Sequence, residues 1–225
     1  MASLKKTKPS IIKLLHQIMF DFNKIATKHE LEYFAIGGTL LGAIRHGSVI
    51  PWDDDCDVGM LYKNKRKFLA LESEFKKCGY KFVKTWFGYK VCFQNRKNNV
   101  GEDYSFPNLD VFLYRRKDNL IIPSFKAVRE IWEKEFYIEE QLFPLHEHKF
   151  ASFTIKVPKE PKPYLDRLYG KDWNKIAYRE YDHSRDEHIE RIKVKLKKED
   201  RFPAQPVNVN KKCVKIYQVI YFLNK

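Results

Sequence analysis

The chain has 225 residues, of which 44% are hydrophobic and 15% aromatic, enough to fill one globular core and inconsistent with a disordered tail. Forty-three Lys and Arg against twenty-nine Asp and Glu give a formal net charge of +14. This favours an anionic partner: a nucleotide, a phosphorylated glycan, nucleic acid or an acidic membrane surface. No run of about 18 uninterrupted apolar residues occurs, which argues against a spanning helix. The N-terminal MASLKKTKPS has the positive start of a signal peptide but passes straight into a helical pattern interrupted by Lys13, His16, Asp21 and Asn23. The expected compartment is therefore cytoplasmic. Cys56, Cys78, Cys92 and Cys213 form no CxxC pair, so reduced thiols are expected rather than a disulfide framework or a zinc site.

In chain order, Ile11, Ile12, Leu15, Ile18, Met19, Phe22 and Ile25 recur at three-and-four spacing and predict an amphipathic helix from Pro9 to His29. Tyr33 to Ile36 reads as a buried strand entering a tight turn at Gly37-Gly38, followed by a short helix over Thr39 to Arg45. Cys56 to Met60 alternates like a strand, and Lys63 to Cys78 reads as a helix stopped by Gly79. Tyr80 to Val83 and Tyr89 to Phe93 predict a strand pair. Leu109 to Tyr114 predicts another strand, with a turn at Asp118-Asn119 before Leu120 to Ile122. Beyond Phe150 the chain is Pro-rich, and Tyr164 to Tyr169 reads as a short helix ended by Gly170. Helices alternating with short strands predict an α/β (α+β) fold with a mixed sheet. The whole chain, 1–225, is expected to form one domain, with a core over 9–150 and a C-terminal extension over 151–225.

The chemistry is concentrated between Phe34 and Met60, FAIGGTLLGAIRHGSVIPWDDDCDVGM. Gly37 and Gly38 lack a Cβ, so their backbone can approach a ligand closely, and the helix that starts at Thr39 would turn N–H groups toward a diphosphate. Residues two apart on a strand share a side, so Asp55 and Asp57 would project together. Two carboxylates so close repel unless a cation intervenes, and Mg²⁺ or Mn²⁺ held by carboxylate and phosphate oxygens resolves the conflict. By the same alternation Asp54 should point away, and Asp53 sits too far into the loop to assign. Asp110 lies among Leu109, Val111, Phe112 and Leu113, where an ionised group needs a metal, a cation or a solvent-filled cleft. Beside the first strand it would serve as a third ligand or as base for an attacking hydroxyl. Arg45 and His46 follow the short helix, where a guanidinium can bind a diphosphate through paired hydrogen bonds. Trp52 is expected to pack beneath the acidic loop. Tyr181, Asp182, His183 and Arg185 read as a surface loop, and Cys213 to Leu223 as a segment docking on the core, with peripheral membrane contact as the alternative.

GGTLLGAIRHGSVIPWDDDCDVGM resembles the signature of the LicD and fukutin family, and LFPLHEHKFASFTIKVPKEPKPYLDRLYGKDW, from Leu142 to Trp173, is similar to that family's later segment. With the Asp110 strand, the resemblance spans residues 31 to 173. It implies a nucleotidyltransferase-like fold and transfer of phosphocholine or ribitol phosphate from a cytidine diphosphate (CDP)-linked donor to a glycan or other polyhydroxy acceptor. It also implies Asp55 and Asp57 as the metal pair, Asp110 as the downstream strand aspartate, and Gly37, Gly38 and Thr39 as the phosphate turn. Two rivals stay open. A nucleotidyltransferase would use the same parts on a small molecule or RNA, and a non-catalytic protein would use the basic charge on nucleic acid. No nucleic-acid motif accompanies that charge, so no nucleic-acid partner is expected.

Overall fold

The computed structural model describes residues 4–97, 101–182 and 187–211. Helix α1 (Pro9–Lys28) opens with Pro at its first turn, where the missing N–H costs nothing, and buries Ile12, Leu15, Ile18, Met19, Phe22 and Ile25 along one stripe. Strand β1 (Phe34–Ala35) leads into α2 (Gly37–His46), which ends on Gly47 in the left-handed region (φ +64°). Next come β2 (Cys56–Leu61), α3 (Lys65–Ala70) and α4 (Glu72–Lys77). The single helix expected over 63–78 is thus two short helices joined at Leu71, after a 3₁₀ turn at Tyr62–Asn64. Phe68 and Phe75, seven residues apart, both lie against Phe22 across the join.

Strands β3 (Tyr80–Lys84), β4 (Gly88–Phe93), β5 (Asn108–Lys117) and β6 (Leu120–Pro123) follow, then α5 (Lys126–Ile131), β7 (Tyr137–Ile138) and α6 (Glu139–Leu142). One mixed sheet runs β1-β2-β5-β4-β3, with β6 on β5 and β7 on β6; its parallel pair is β2 with β5. The hairpin β8 (His146–Phe150)/β9 (Phe153–Val157) precedes α7 (Pro161–Tyr169), and the hairpin β10 (Ile176–Asp182)/β11 (Glu187–Lys195) follows it. Neither hairpin was anticipated. His146 to Lys149 and the charged residues of the β11 sequence leave no clean apolar alternation.

The sheet has two unlike faces. Leu109, Val111, Val58, Met60, Val91 and Phe82 meet α1, α3 and α4, where Phe22, Phe68, Phe75 and Phe82 pack ring on ring. The opposite face carries Asp57, Lys90, Asp110, Phe112 and Tyr114, and over it close the segment 132–137 and α7. β9 packs near β1 and α7 against α2, so chain beyond residue 150 shares the core through Ile155, Val157, Tyr164 and Leu165. Cys56 and Cys92 are free and buried, whereas Cys78 is disulfide-bonded, a correction to the expectation of reduced thiols that spacing could not reveal. His183 to Arg185 and Cys213 to Leu223 lie outside the described residues. Among those described, no helix is long and apolar enough to cross a membrane.

Two buried histidines fasten the segment around residues 200–206. His16 donates from Nδ1 to the Pro206 carbonyl (2.7 Å) and accepts at Nε2 from Ser48 Oγ (2.7 Å). His46 lies against the Asp200 carbonyl (3.1 Å) and edge-on to Trp52. Burial lowers the His16 pKa to about 4, and burial reinforced by Arg45 lowers that of His46 to about 3. The unfolded chain therefore takes up protons below pH 6.5 that the folded one refuses, and stability is lost as pH falls through that range. Between pH 7 and pH 5 each histidine should cost on the order of 2 kcal/mol. Urea unfolding across this window should report an uptake approaching two protons, falling by one in His46→Gln; a flat wild-type profile would refute the assignment.

Candidate active site

Residues 51–55 form a turn and an irregular stretch, and β2 begins only at Cys56. Period-two alternation therefore does not govern the acidic run, and Asp54 does not point away. One carboxylate oxygen each from Asp53, Asp54 and Asp55 lies within 4.8 Å of the others, and this is the one such group of three acidic, His or Cys side chains among the described residues. Asp54 is buried. Asp57, Asp53, Asp54 and Asp55 all line a cavity of about 690 Å³, whose wall also includes Arg45, Trp52, Tyr169, Trp173 and Tyr178.

The glycine turn forms the floor beneath these carboxylates. A Cβ on Gly38 would come within 2.6 Å of Asp53 Oδ2, and one on Gly37, which sits at φ +51°, within 3.3 Å of Asp57 Oδ2. Only glycine lets the start of α2 lie this close to two carboxylates. Thr39 performs a different task from the one its position suggests: its buried Oγ1 accepts the Asp57 N–H at 2.7 Å and locks α2 to β2. Gly37 N–H donates to the Tyr164 hydroxyl at 2.9 Å.

Asp110 stands opposite Asp57 in the parallel β2–β5 register, so the strand adjacency on which its expected role depended is present. Its cation is Lys90, directly opposite on β4, whose Nζ lies 2.7 and 2.8 Å from the two Asp110 oxygens. Burial alone would lower the Lys90 pKa, but Asp110, with smaller help from Tyr104 and Asp55, raises it. Asp110 is not among the cavity-lining residues; it borders the site from the neighbouring strand. Arg45 does line the cavity, with one amino group committed to the carbonyls of Trp173 (2.6 Å) and Ile176 (3.3 Å). Burial draws its pKa down to about 10, against the opposing pull of Tyr169 and Asp53. His46 faces Asp200 instead of the cavity, and buried Trp52 packs against His46 and forms part of the cavity wall.

Sequence reasoning missed Asp53, Lys90, Glu135, Tyr164 and Tyr169. Tyr164 donates to Glu135 (2.8 Å) while accepting from Gly37, and Tyr114 donates to the same carboxylate at 2.7 Å. Arg167 grips the carbonyls of Lys134 and Phe136, setting Glu135 between the two tyrosines. Burial raises the Tyr169 pKa well above its ordinary value, and the charges of Asp53, Glu135, Asp57 and Asp55 push it further. The readable signal for two of these was the block YLDRLYG itself, which supplies Tyr164 and Tyr169, with Arg167, from one helix. Nothing in the sequence marked Glu135.

The lining carries five carboxylates, those of Asp53, Asp54, Asp55, Asp57 and Asp172, against the cations Arg45 and Lys134. An acidic recess in a basic chain, walled by oxygen ligands beside a glycine turn, fits a hard divalent cation such as Mg²⁺ or Mn²⁺.

A family model described as "LicD/FKTN/FKRP, nucleotidyltransferase domain" matches residues 30–160, more than half of the chain. The chain belongs to this family. An uncharacterized Rickettsia prowazekii protein is 31% identical over 163 residues, covering 72% of this chain and 56% of the relative. The lipopolysaccharide cholinephosphotransferase LicD of Haemophilus influenzae is 44% identical over 52 residues, 23% of this chain and 20% of LicD. The human ribitol-5-phosphate transferase FKTN is 27% identical over 165 residues, 72% of this chain and 33% of FKTN. The chain thus spans about half the length of the first of these relatives and less of the others. Among solved structures, ANT(2")-Ia in complex with adenylyl-2"-tobramycin aligns at 15% identity and a TM-score of 0.40, over 73% of this chain and 81% of that one, too distant to carry an argument.

Tyr164→Phe should leave the Gly37 N–H without its acceptor and Glu135 without one donor, at a cost of about 1–3 kcal/mol. Chemical denaturation checks this, and an unchanged midpoint would place Tyr164 outside the network.

Proposed function

We propose that the protein is a metal-dependent phosphotransferase that moves a phospho-alcohol, of the phosphocholine or ribitol phosphate kind, from a CDP-linked donor to a hydroxyl of a glycan or similar acceptor. The observation that carries this reading is the acidic cavity built against the Gly37-Gly38 turn, in a chain whose relatives LicD and FKTN are named for choline phosphate and ribitol phosphate transfer. A volume near 690 Å³ suits a nucleotide diphosphate, and mixed aromatic and polar walls are what such ligands need.

In this reading Asp55 and Asp57 hold Mg²⁺ or Mn²⁺, and Asp53, whose oxygen overhangs Gly38, is a further ligand. The bound cation would neutralise diphosphate oxygens and stabilise charge as it develops on the leaving group. Gly37 and Gly38 let the donor diphosphate settle against the start of α2, while Thr39 keeps Asp57 in place and Arg45 adds positive charge at the wall. Asp110, held by Lys90 one strand away, receives the proton of the acceptor hydroxyl. The acceptor oxygen bonds to the phosphorus bearing the alcohol, the bond from that phosphorus to the bridging oxygen breaks, and the electron pair leaves with cytidine monophosphate.

The nucleotidyltransferase description of the matched domain motivates the second reading, in which the nucleotide itself is transferred. Mass spectrometry of products from a panel of CDP-alcohols separates the two. Release of cytidine monophosphate with a phospho-alcohol on the acceptor supports the first, and an acceptor carrying cytidylate supports the second. Asp57→Asn should abolish transfer in a folded protein; full turnover would remove the metal assignment. Asp110→Asn should lower turnover by about 10²- to 10⁴-fold with donor affinity nearly kept, as for loss of a positioned base. Calorimetric titration checks the donor affinity, and a parallel loss of metal affinity would make Asp110 a ligand instead.

A further inference from the structure

The sheet face that carries Asp110 continues outward into an aromatic surface that the proposed chemistry does not use. Phe112, two residues beyond Asp110 on the same side of β5, stacks on Phe87 with centroids 4.4 Å apart and planes 18° apart. Trp132, the residue after α5, meets the Phe112 ring edge-on at 5.8 Å. Trp86, in the turn between β3 and β4, stacks on Trp132 at 5.5 Å with planes 16° apart. Trp86 is 49% and Trp132 43% exposed, and neighbouring Ile131 is 60% exposed, so two of the chain's four indoles, one lying over the other, form one exposed aromatic platform. Its inner edge reaches the site: Lys90 Nζ sits 5.4 Å from the Phe87 ring centroid while holding Asp110.

Exposed stacked indoles are costly surface for a core to leave uncovered, and they mark interaction sites. We infer that Trp86 and Trp132, backed by Phe112 and Phe87, form the binding platform for a sugar ring of the acceptor. This rests on the proposed transfer to a glycan and assigns the acceptor a place that reading leaves open. Shape decides which substrate goes where. The cavity on the Asp57 side is a recess of nucleotide size, with the lining cation Arg45 and the acidic cluster, whereas the platform is open and can receive one unit of a glycan too large to be enclosed. The platform itself is apolar and aromatic, matched to the C–H face of a pyranose rather than to a phosphate. Lys90 joins the platform's Phe87 to Asp110, and Asp110 stands in register beside the cavity-lining Asp57, so on this inference the acceptor hydroxyl approaches the donor phosphorus from the Asp110 side.

The full chain, applied to an array of hexose and N-acetylhexosamine oligosaccharides, should be retained by a subset of them. Trp86→Ala and Trp132→Ala should each weaken retention by about tenfold or more, as truncation of a contact tryptophan does, and Trp86→Phe should restore much of it by keeping a flat face. Both side chains are exposed, so the variants should fold, which circular dichroism checks. Equal retention by the alanine variants, no retention of the wild type by any sugar, or tryptophan-dependent binding confined to anionic phospholipid vesicles would overturn the inference. Donor turnover is read separately as cytidine monophosphate release from CDP-alcohols. Sugar retention lost in the alanine variants without any such release would leave the platform standing and sink the donor assignment, and release with tryptophan-independent sugar binding would do the reverse.

Discussion

The parallel pairing of β2 with β5 is the constraint on which the site depends. It sets Asp57 directly against Asp110 on one face of the sheet, and with antiparallel β4 it brings Lys90 opposite Asp110. Two carboxylates on adjacent strands about 5 Å apart repel in a medium of low dielectric. The pairing persists because Lys90 takes both oxygens of Asp110, leaving Asp57 to face the cavity. Thr39 then ties the Asp57 backbone to α2, so one hydrogen bond couples the glycine turn to the strand that presents the carboxylate.

The same face explains the distant YLDRLYG block. A glycine-started helix has no side-chain cap of its own: no side chain bonds at the Ile36 cap position, and the Gly37 N–H finds its acceptor in Tyr164 instead. Tyr164 in turn stacks on Tyr137, centroids 4.2 Å and planes 6° apart, and shares Glu135 with Tyr114. An apparently separate C-terminal helix thus completes the N-terminus of α2. The two sequence blocks belong together because one supplies backbone that no Cβ can occupy and the other supplies the hydroxyl that satisfies it.

Much of this was legible from the residues. The long α1, the strands around Asp57 and Asp110, the glycine turn and the α7 helix follow from periodicity, glycine placement and a costly aspartate in an apolar run, all local signals. What was illegible is non-local. Strand alternation misplaced Asp54 because β2 starts three residues later than the acidic run, and no local pattern announces that boundary. Lys90 carries no signal of its own until the register sets it against Asp110. Glu135 lies between Lys134 and Phe136 in a segment with no regular structure, and only Tyr114 from β5 with Tyr164 and Arg167 from α7 give it a role.

Net charge misleads at the site in an instructive way. The chain carries +14, yet the cavity lining holds five carboxylates and two cations, and one of those cations, Arg45, spends an amino group on the carbonyls of Trp173 and Ile176. The basic excess acts at long range, drawing an anionic ligand toward the molecule, and is screened over roughly 8–10 Å at ordinary ionic strength. Close to the glycine turn the nearer carboxylates dominate. A diphosphate would meet repulsion there unless a divalent cation entered with it, and the oxygens of Asp53, Asp54 and Asp55 are already gathered on the side of the cavity where such a cation would be held. On the proposed reading, long-range attraction and short-range rejection of bare anions together would favour a ligand that arrives as a metal complex, and the acidic run would discriminate against free anions as well as hold the metal.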